Sequence, residues 1–139
     1  MQNQFKEAAM LERSRKAVLD NADWLTVAEI AERIESNQAR LSELFGQWVR
    51  ERRIFTIRRD GVDYFPGYGL DAGAGWQPFK GLETVLEVFG DARDGWGLAY
   101  WFLSANSFFG GRRPQDTLAS EPEQVIAAAK DEMQGVVHG

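Results

Sequence analysis

The sequence predicts a mainly α protein interrupted by one small β-hairpin, and three observations carry that expectation. Apolar residues recur at helical spacing on both sides of the chain's middle. Between them, Ile54-Phe55-Thr56-Ile57 and Val62-Asp63-Tyr64-Phe65 are rich in strand-favouring residues and flank Arg58-Arg59-Asp60-Gly61. The Asp-Gly pair suits a tight hairpin, because Gly adopts positive φ at no steric cost. A Gly-rich stretch over 66–75 then separates this region from a second set of helices.

Composition narrows the function classes. With 139 residues, 44% of them hydrophobic, the chain suits one compact domain or two small ones leaning on each other or on a second copy. No apolar run is long enough to span a membrane and no signal peptide is read, so a cytoplasmic location is expected. The absence of cysteine excludes disulfides and thiolate chemistry. The single histidine, His138, is the penultimate residue, leaving no base for a Ser-His-Asp or Cys-His site and no zinc ligand set. The expectation is a protein that is no enzyme, with no catalytic residue, metal or cofactor.

Residues 4–20 read as a helix with Phe5, Ala8, Ala9, Val18 and Leu19 as its apolar members and Arg13, Arg15 and Lys16 in its middle. Its basic middle is expected to be a solvated face on a helix packing against the next unit, with dimerisation through this helix as the alternative. That next unit opens on Thr26 and Glu29, a Ser/Thr-x-x-Glu capping box, with Leu25 and Ile30 placed for a hydrophobic staple. Val27, Ile30, Ala31 and Ile34 form its apolar stripe. Glu35-Ser36-Asn37-Gln38 interrupts it and can cap a second helix over 37–53. There Leu41, Leu44, Phe45, Trp48 and Val49 gather on one arc and should pack inward.

Helix, helix, hairpin over 25–65 is the order of a winged helix-turn-helix, so the fold class expected is that unit followed by a small all-α bundle. A small α/β fragment without a DNA role has the same order. The divisions expected are 1–24 for the first helix, 25–75 for the winged unit with its Gly-rich connector, and 76–139 for the bundle. The connector, 66–75, is read as having no element of its own, although Tyr68 and Leu70 can pin it down.

In the bundle, Leu82, Val85, Leu86 and Phe89 give a helix ending at Gly90, and Asp94 can cap the next, which is apolar nearly all round from Trp96 to Leu103. Gly110-Gly111 supplies a turn, and Pro114 is preset for the first turn of a short helix. Ser120 and Glu123 repeat the capping-box spacing before a last helix through Val125, Ile126 and Ala129.

The net charge of −5 opposes indiscriminate nucleic-acid binding, but its distribution is uneven. Between Asn37 and Arg59 six arginines face only Glu43 and Glu51, whereas the chain from Trp76 onward holds five basic and nine acidic residues. That asymmetry fits a DNA-facing unit joined to an acidic unit that meets something else. On the second helix, Arg50 lies opposite the apolar arc with Arg40, Glu43 and Gln47 beside it, and Arg and Gln read base edges or hold phosphates. Arg58 and Arg59 at the hairpin tip suit a minor groove or phosphates. Arg52 and Arg53 at the helix-to-strand junction can reach phosphates or neutralise the negative end of the helix dipole.

The C-terminal residues resemble the toxin-binding domain of Xre/MbcA/ParS-type antitoxins. The matching residues are Trp101 and Asn106, then Phe109-Gly110-Gly111-Arg112-Arg113-Pro114, Leu118, and Val125 to Ala129. Typical members carry a Cro-like helix-turn-helix without a wing. This chain is similar instead to bacterial proteins joining a winged or MerR-like reader to that module. The resemblance implies double-stranded DNA, its own promoter, as a partner for autoregulation, together with homodimerisation. It also implies a C-terminal surface that neutralises a RES-domain toxin, an enzyme that consumes NAD. The residues it assigns to partner binding are Trp101, Asn106, Gly110, Gly111, Arg112 and Pro114, which on physical grounds alone build a tight turn between buried helices. The rival expectation is a protein-interaction module, toxin-neutralising or adaptor, whose winged unit no longer binds DNA.

Overall fold

The computed structural model describes residues 2–106 and 110–138 and is mainly helical, with a small antiparallel sheet. Helix α1 spans Gln2–Asp20, and its last turns bury Val18. Strand β1, Trp24–Leu25, follows, with the Trp24 indole donating to the Val18 carbonyl at 2.9 Å. Thr26 then opens α2, Val27–Ile34, with both bonds of the capping box present. Left-handed Glu35 (φ 54°) ends it, and the Ser36 N–H returns to the Ala31 carbonyl at 3.0 Å. The Asn37 side chain accepts from the Arg40 N–H at 3.0 Å and starts α3, Gln38–Arg50.

The second helix therefore ends at Arg50, short of the 37–53 expected. Arg52 sits at φ 58°, outside the helix, because the chain must turn there toward the hairpin. Leu41, Phe45 and Trp48 are buried as expected, but Leu44 is 36% exposed. It lies at the edge of the apolar arc.

Strands β2 (Ile57–Arg59) and β3 (Val62–Pro66) form the hairpin. Its first strand starts and ends later than the 54–57 expected. Asp60 and Gly61 both have positive φ (53° and 78°), the two-residue turn that matches strand twist. A loop that short lets Arg58 and Arg59 pair with Asp63 and Val62, so both arginines are strand residues rather than a loop tip. Ile54 to Thr56, expected in the strand, instead run into the core as irregular chain, with Ile54 and Phe55 buried. Strand β1 adds to the other side of β3, giving the order β1-β3-β2, a strand the sequence pattern did not announce.

The stretch expected to lack elements forms a 3₁₀ turn (Gly67–Gly69), strand β4 (Leu70–Asp71) and a second 3₁₀ turn (Ala72–Ala74). Strand β5 (Gln77–Pro78) pairs with β4. Buried Leu70 holds this segment, which the glycines alone conceal.

Helix α4, Lys80–Phe89, packs along α7, Pro122–His138. Asp94 caps α5, Gly95–Leu103, accepting from the Gly97 N–H at 2.8 Å. Pro114 opens α6, Pro114–Thr117. Helix α7 starts after Glu121, whose carbonyl accepts from Gln124 and Val125, and with Pro122 as its first residue. The Ser120–Glu123 capping box does not form, because Pro122 is preorganised for the first helical position and moves the cap one residue on.

Buried residues from Val18 to Ala129 make one apolar cluster. Its aromatic spine joins the two halves: Phe65 meets Phe45 at 4.8 Å, Trp24 meets Phe55 and Tyr68, and Phe55 stacks on Phe102 at 5.9 Å. Helix α1 packs on α5 rather than chiefly on the hairpin unit, and Arg15, expected on a solvated face, lies over the Trp96 ring at 4.9 Å. Among the described residues, no helix is long and apolar enough to cross a membrane.

Candidate nucleic-acid interface

Helix α3 buries one face and presents the other to solvent. Leu41, Phe45 and Trp48 hold it on the core, Phe45 contacting both Trp48 and Phe65 of the hairpin. The helix cannot roll without breaking those contacts, so its outer residues are fixed in direction. Arg40, Glu43, Gln47 and Arg50 are exposed there, and with Gly46 they line a shallow open groove. Gly46 makes the notch: a Cβ at that position would stand 3.5 Å from the Arg50 Nη1. The Gln47 amide donates to the Glu51 carboxylate at 3.1 Å. Among the described residues neither Arg40 nor Arg50 has an ion-pair partner, so both guanidinium groups remain available to an outside anion.

The other arginines of this region divide sharply. Arg58 points outward from β2 with 70% of its side chain exposed, 3.7 Å from Asp63 and donating weakly to the Gly61 carbonyl. Arg59 points the other way and donates to Glu12 of α1 at 2.5 Å. That hydrogen bond, then the charge of Arg59, holds the Glu12 carboxyl below the usual carboxylate range. Arg52 is paired with Asp91, beyond α4. Arg53 donates to Glu83 of α4 at 2.6 Å and lies 5.3 Å over the Trp48 ring. Arg52, Arg53 and Arg59 thus tie the hairpin unit to its neighbours, while Arg40, Gln47, Arg50 and Arg58 face solvent. No local pattern could reveal this, because Glu12, Glu83 and Asp91 stand 30 to 47 residues away in the chain.

The C-terminal residues assigned to partner binding build the turn between α5 and α6. Trp101 is buried, edge-on to Phe89 and Phe102 at about 5 Å. Asn106 and Arg112 form an isolated antiparallel bridge closed by the Asn106 and Gly111 N–H groups at 3.1 and 2.8 Å. Gly110 and Gly111 take φ of 74° and 80°, and Arg112 pairs with Glu121. Pro114 is fully buried. Only Gly110, Gly111 and Arg112 of this set are exposed; Phe109 of the resemblance lies outside the described residues.

Comparison with protein-family models and with curated proteins gave no match to this chain. Among solved structures it is similar to the NMR structure of Rv2175c, with a TM-score of 0.62 at 19% identity over 81% of this chain and 82% of that one. At that identity the likeness concerns the fold alone.

Proposed function

We propose that the chain is a bacterial DNA-binding transcriptional regulator, in which α2 and α3 act as a helix-turn-helix and the β2–β3 hairpin as its wing. Helix α3 would lie in the major groove with Arg40, Gln47 and Arg50 at the base edges and phosphates, and Arg58 would hold the wing on the backbone. The observation that carries this reading is the sorting of the arginines. Arg52, Arg53 and Arg59 are spent within the molecule, whereas Arg40 and Arg50 lie unpaired on one exposed helix face. Arginines left unpaired on a single fixed face fit an anionic partner better than they fit structural duty.

In this reading the regulator is a homodimer of antitoxin type that acts by binding, without catalysis or a cofactor. Its second half serves dimerisation, toxin neutralisation, or both, and the exposed Gly110-Gly111-Arg112 turn would meet a RES-type toxin. The rival, an interaction module without DNA binding, is favoured by the total charge of −5. Fluorescence anisotropy of the full chain with its own upstream DNA and a scrambled control, across a salt series, separates the two. Sequence-selective binding lost in the Arg40→Ala/Arg50→Ala variant supports the regulator. No binding at low salt removes the DNA-reading helix and leaves the interaction module.

A further inference from the structure

Helix α1 is longer than the body that supports it. Residues 3–13 are exposed on every side, and only the last turns are packed. An isolated helix of that length is marginal in water, so its first half wants a partner. At 100° per residue, Glu7, Ala8, Leu11, Ser14, Arg15 and Val18 share one third of the circumference. The C-terminal part of this face opens on a groove against α5, whose lining includes Leu11, Arg15, Trp96 and Tyr100. Leu11 and Tyr100, which both line this groove, are each about half exposed (51% and 52%). Within the groove the Arg15 guanidinium stacks on Trp96, and its Nε is buried with no hydrogen-bond partner among the described residues.

We propose that this face binds a second copy of the chain, α1 against α1 in antiparallel order, centred on Leu11. The pattern is self-complementary. Glu7 and Arg15 stand four residues either side of Leu11, about 6 Å along the axis at the α-helical rise. A two-fold axis through Leu11 therefore sets Glu7 of each copy against Arg15 of the other, while Leu11 meets Leu11 and Ala8 meets Ser14. Each partner carboxylate supplies an ion-pair partner for the Arg15 guanidinium, which has none among the described residues. Parallel pairing is disfavoured, since it sets Glu7 against Glu7 and Arg15 against Arg15. The proposed face contains no residue of α3 or of the Gly110–Gly111 turn. The proposal rests on the dimeric regulator above for its use, but its test involves no DNA.

Sedimentation velocity of the full chain measures it directly. The wild type is expected at twice the 15.7 kDa chain mass. Glu7→Arg and Arg15→Glu, each placing like charges across the axis, are each expected at the chain mass, with self-association weakened at least tenfold. Mixing the two variants in equal amounts restores the doubled mass, because positions 7 and 15 are then opposite in charge across the hetero pair. Glu7 is exposed, so its substitution tests the interface even where Arg15→Glu loosens the Trp96 contact. A wild type sedimenting at the chain mass at 100 μM overturns the proposal, as does a Glu7→Arg variant that still sediments at twice that mass.

Discussion

Gly95 is the point where the hairpin half and the helical half touch backbone to backbone, and Gly95→Ala tests that joint. A Cβ at Gly95 would stand 2.0 Å from the Thr56 carbonyl oxygen, 3.1 Å from its carbon and 3.8 Å from the Ile57 Cα. All three are main-chain atoms, so no side-chain rotation relieves the clash. Thr56 is itself held, its hydroxyl donating to the Tyr64 carbonyl at 2.8 Å, and Ile57 is fully buried in the paired strand. Relief requires the start of α5 to retreat by roughly 1.5 Å to reach normal contact. That movement opens the Phe55–Phe102 stack behind it. The cost should sit at the top of the overpacking range, about 3 kcal/mol. For a chain of this size it lowers the Tm by roughly 6 to 12 °C. Gly135→Ala is the internal control, since a Cβ there meets nothing within 4 Å inside α7 and should stabilise by up to about 1 kcal/mol. Urea denaturation followed by tryptophan fluorescence, with thermal unfolding by circular dichroism, gives both values. A loss below about 1 kcal/mol for Gly95→Ala would refute a rigid joint between Thr56 and α5.

Two further outcomes follow from the same geometry. Gly46→Ala should raise stability by roughly 1 kcal/mol, because the helix gains and the nearest atom, the Arg50 Nη1, is at ordinary contact distance. If the α3 groove meets DNA, the same methyl weakens binding while the Tm rises; a lower Tm refutes the helix assignment. The Glu12–Arg59 tie has a pH dependence of fixed sign. Folding lowers the Glu12 pKa, so its contribution is complete above the unfolded carboxylate value and disappears as pH falls through the depressed folded one. A chemical-shift titration of the Glu12 carboxyl should show the depressed value in the wild type and the usual range in Arg59→Ala. Equal values in the two proteins would remove the tie.

What could be read from the sequence was whatever neighbouring residues decide among themselves. Thr26-x-x-Glu29, Asn37, Asp94 and Pro114 each start the helix they announce, because a cap or a fixed φ acts within one turn. The errors arise where distant chain takes part. Ile54 to Thr56 have strand composition, yet they leave the line of β2, and Ile54 and Phe55 turn into the core instead. Leu70 is buried and turns a glycine-rich stretch into two short strands around 3₁₀ turns. Trp24–Leu25 becomes a strand only because β3 offers it an edge. Arg15 covers Trp96, a ring 81 residues on, so helical periodicity alone places it on a solvated face. At the candidate site the outward face of α3 follows from helical periodicity, but the inward turn of Arg59 depends on which β2 residues the two-residue turn admits.

The arginine pairing also bounds how strongly salt can act on the proposed complex. Counted along the chain, six arginines between Asn37 and Arg59 suggest broad phosphate contact. Arg52, Arg53 and Arg59 already face Asp91, Glu83 and Glu12, and using them on DNA would strip partly buried carboxylates such as Glu83 of their partner. Of the six, that leaves Arg40 and Arg50, unpaired among the described residues, and Arg58, whose exposed pair with Asp63 is long at 3.7 Å, as the cations that displace counterions. With each neutralised phosphate contributing roughly −0.9 to the slope of log K against log salt, one α3 face and its hairpin should give about −3 per chain. Arg58→Ala should reduce that slope by about 1 and weaken specific and scrambled DNA alike. A slope near −6 per chain would mean that the paired arginines leave their carboxylates on binding, and with them the contacts that tie α1, α4 and the hairpin together. Glu83→Gln separates these cases. It frees Arg53 without moving the backbone, so it steepens the slope only if the pairing holds Arg53 away from DNA in the wild type.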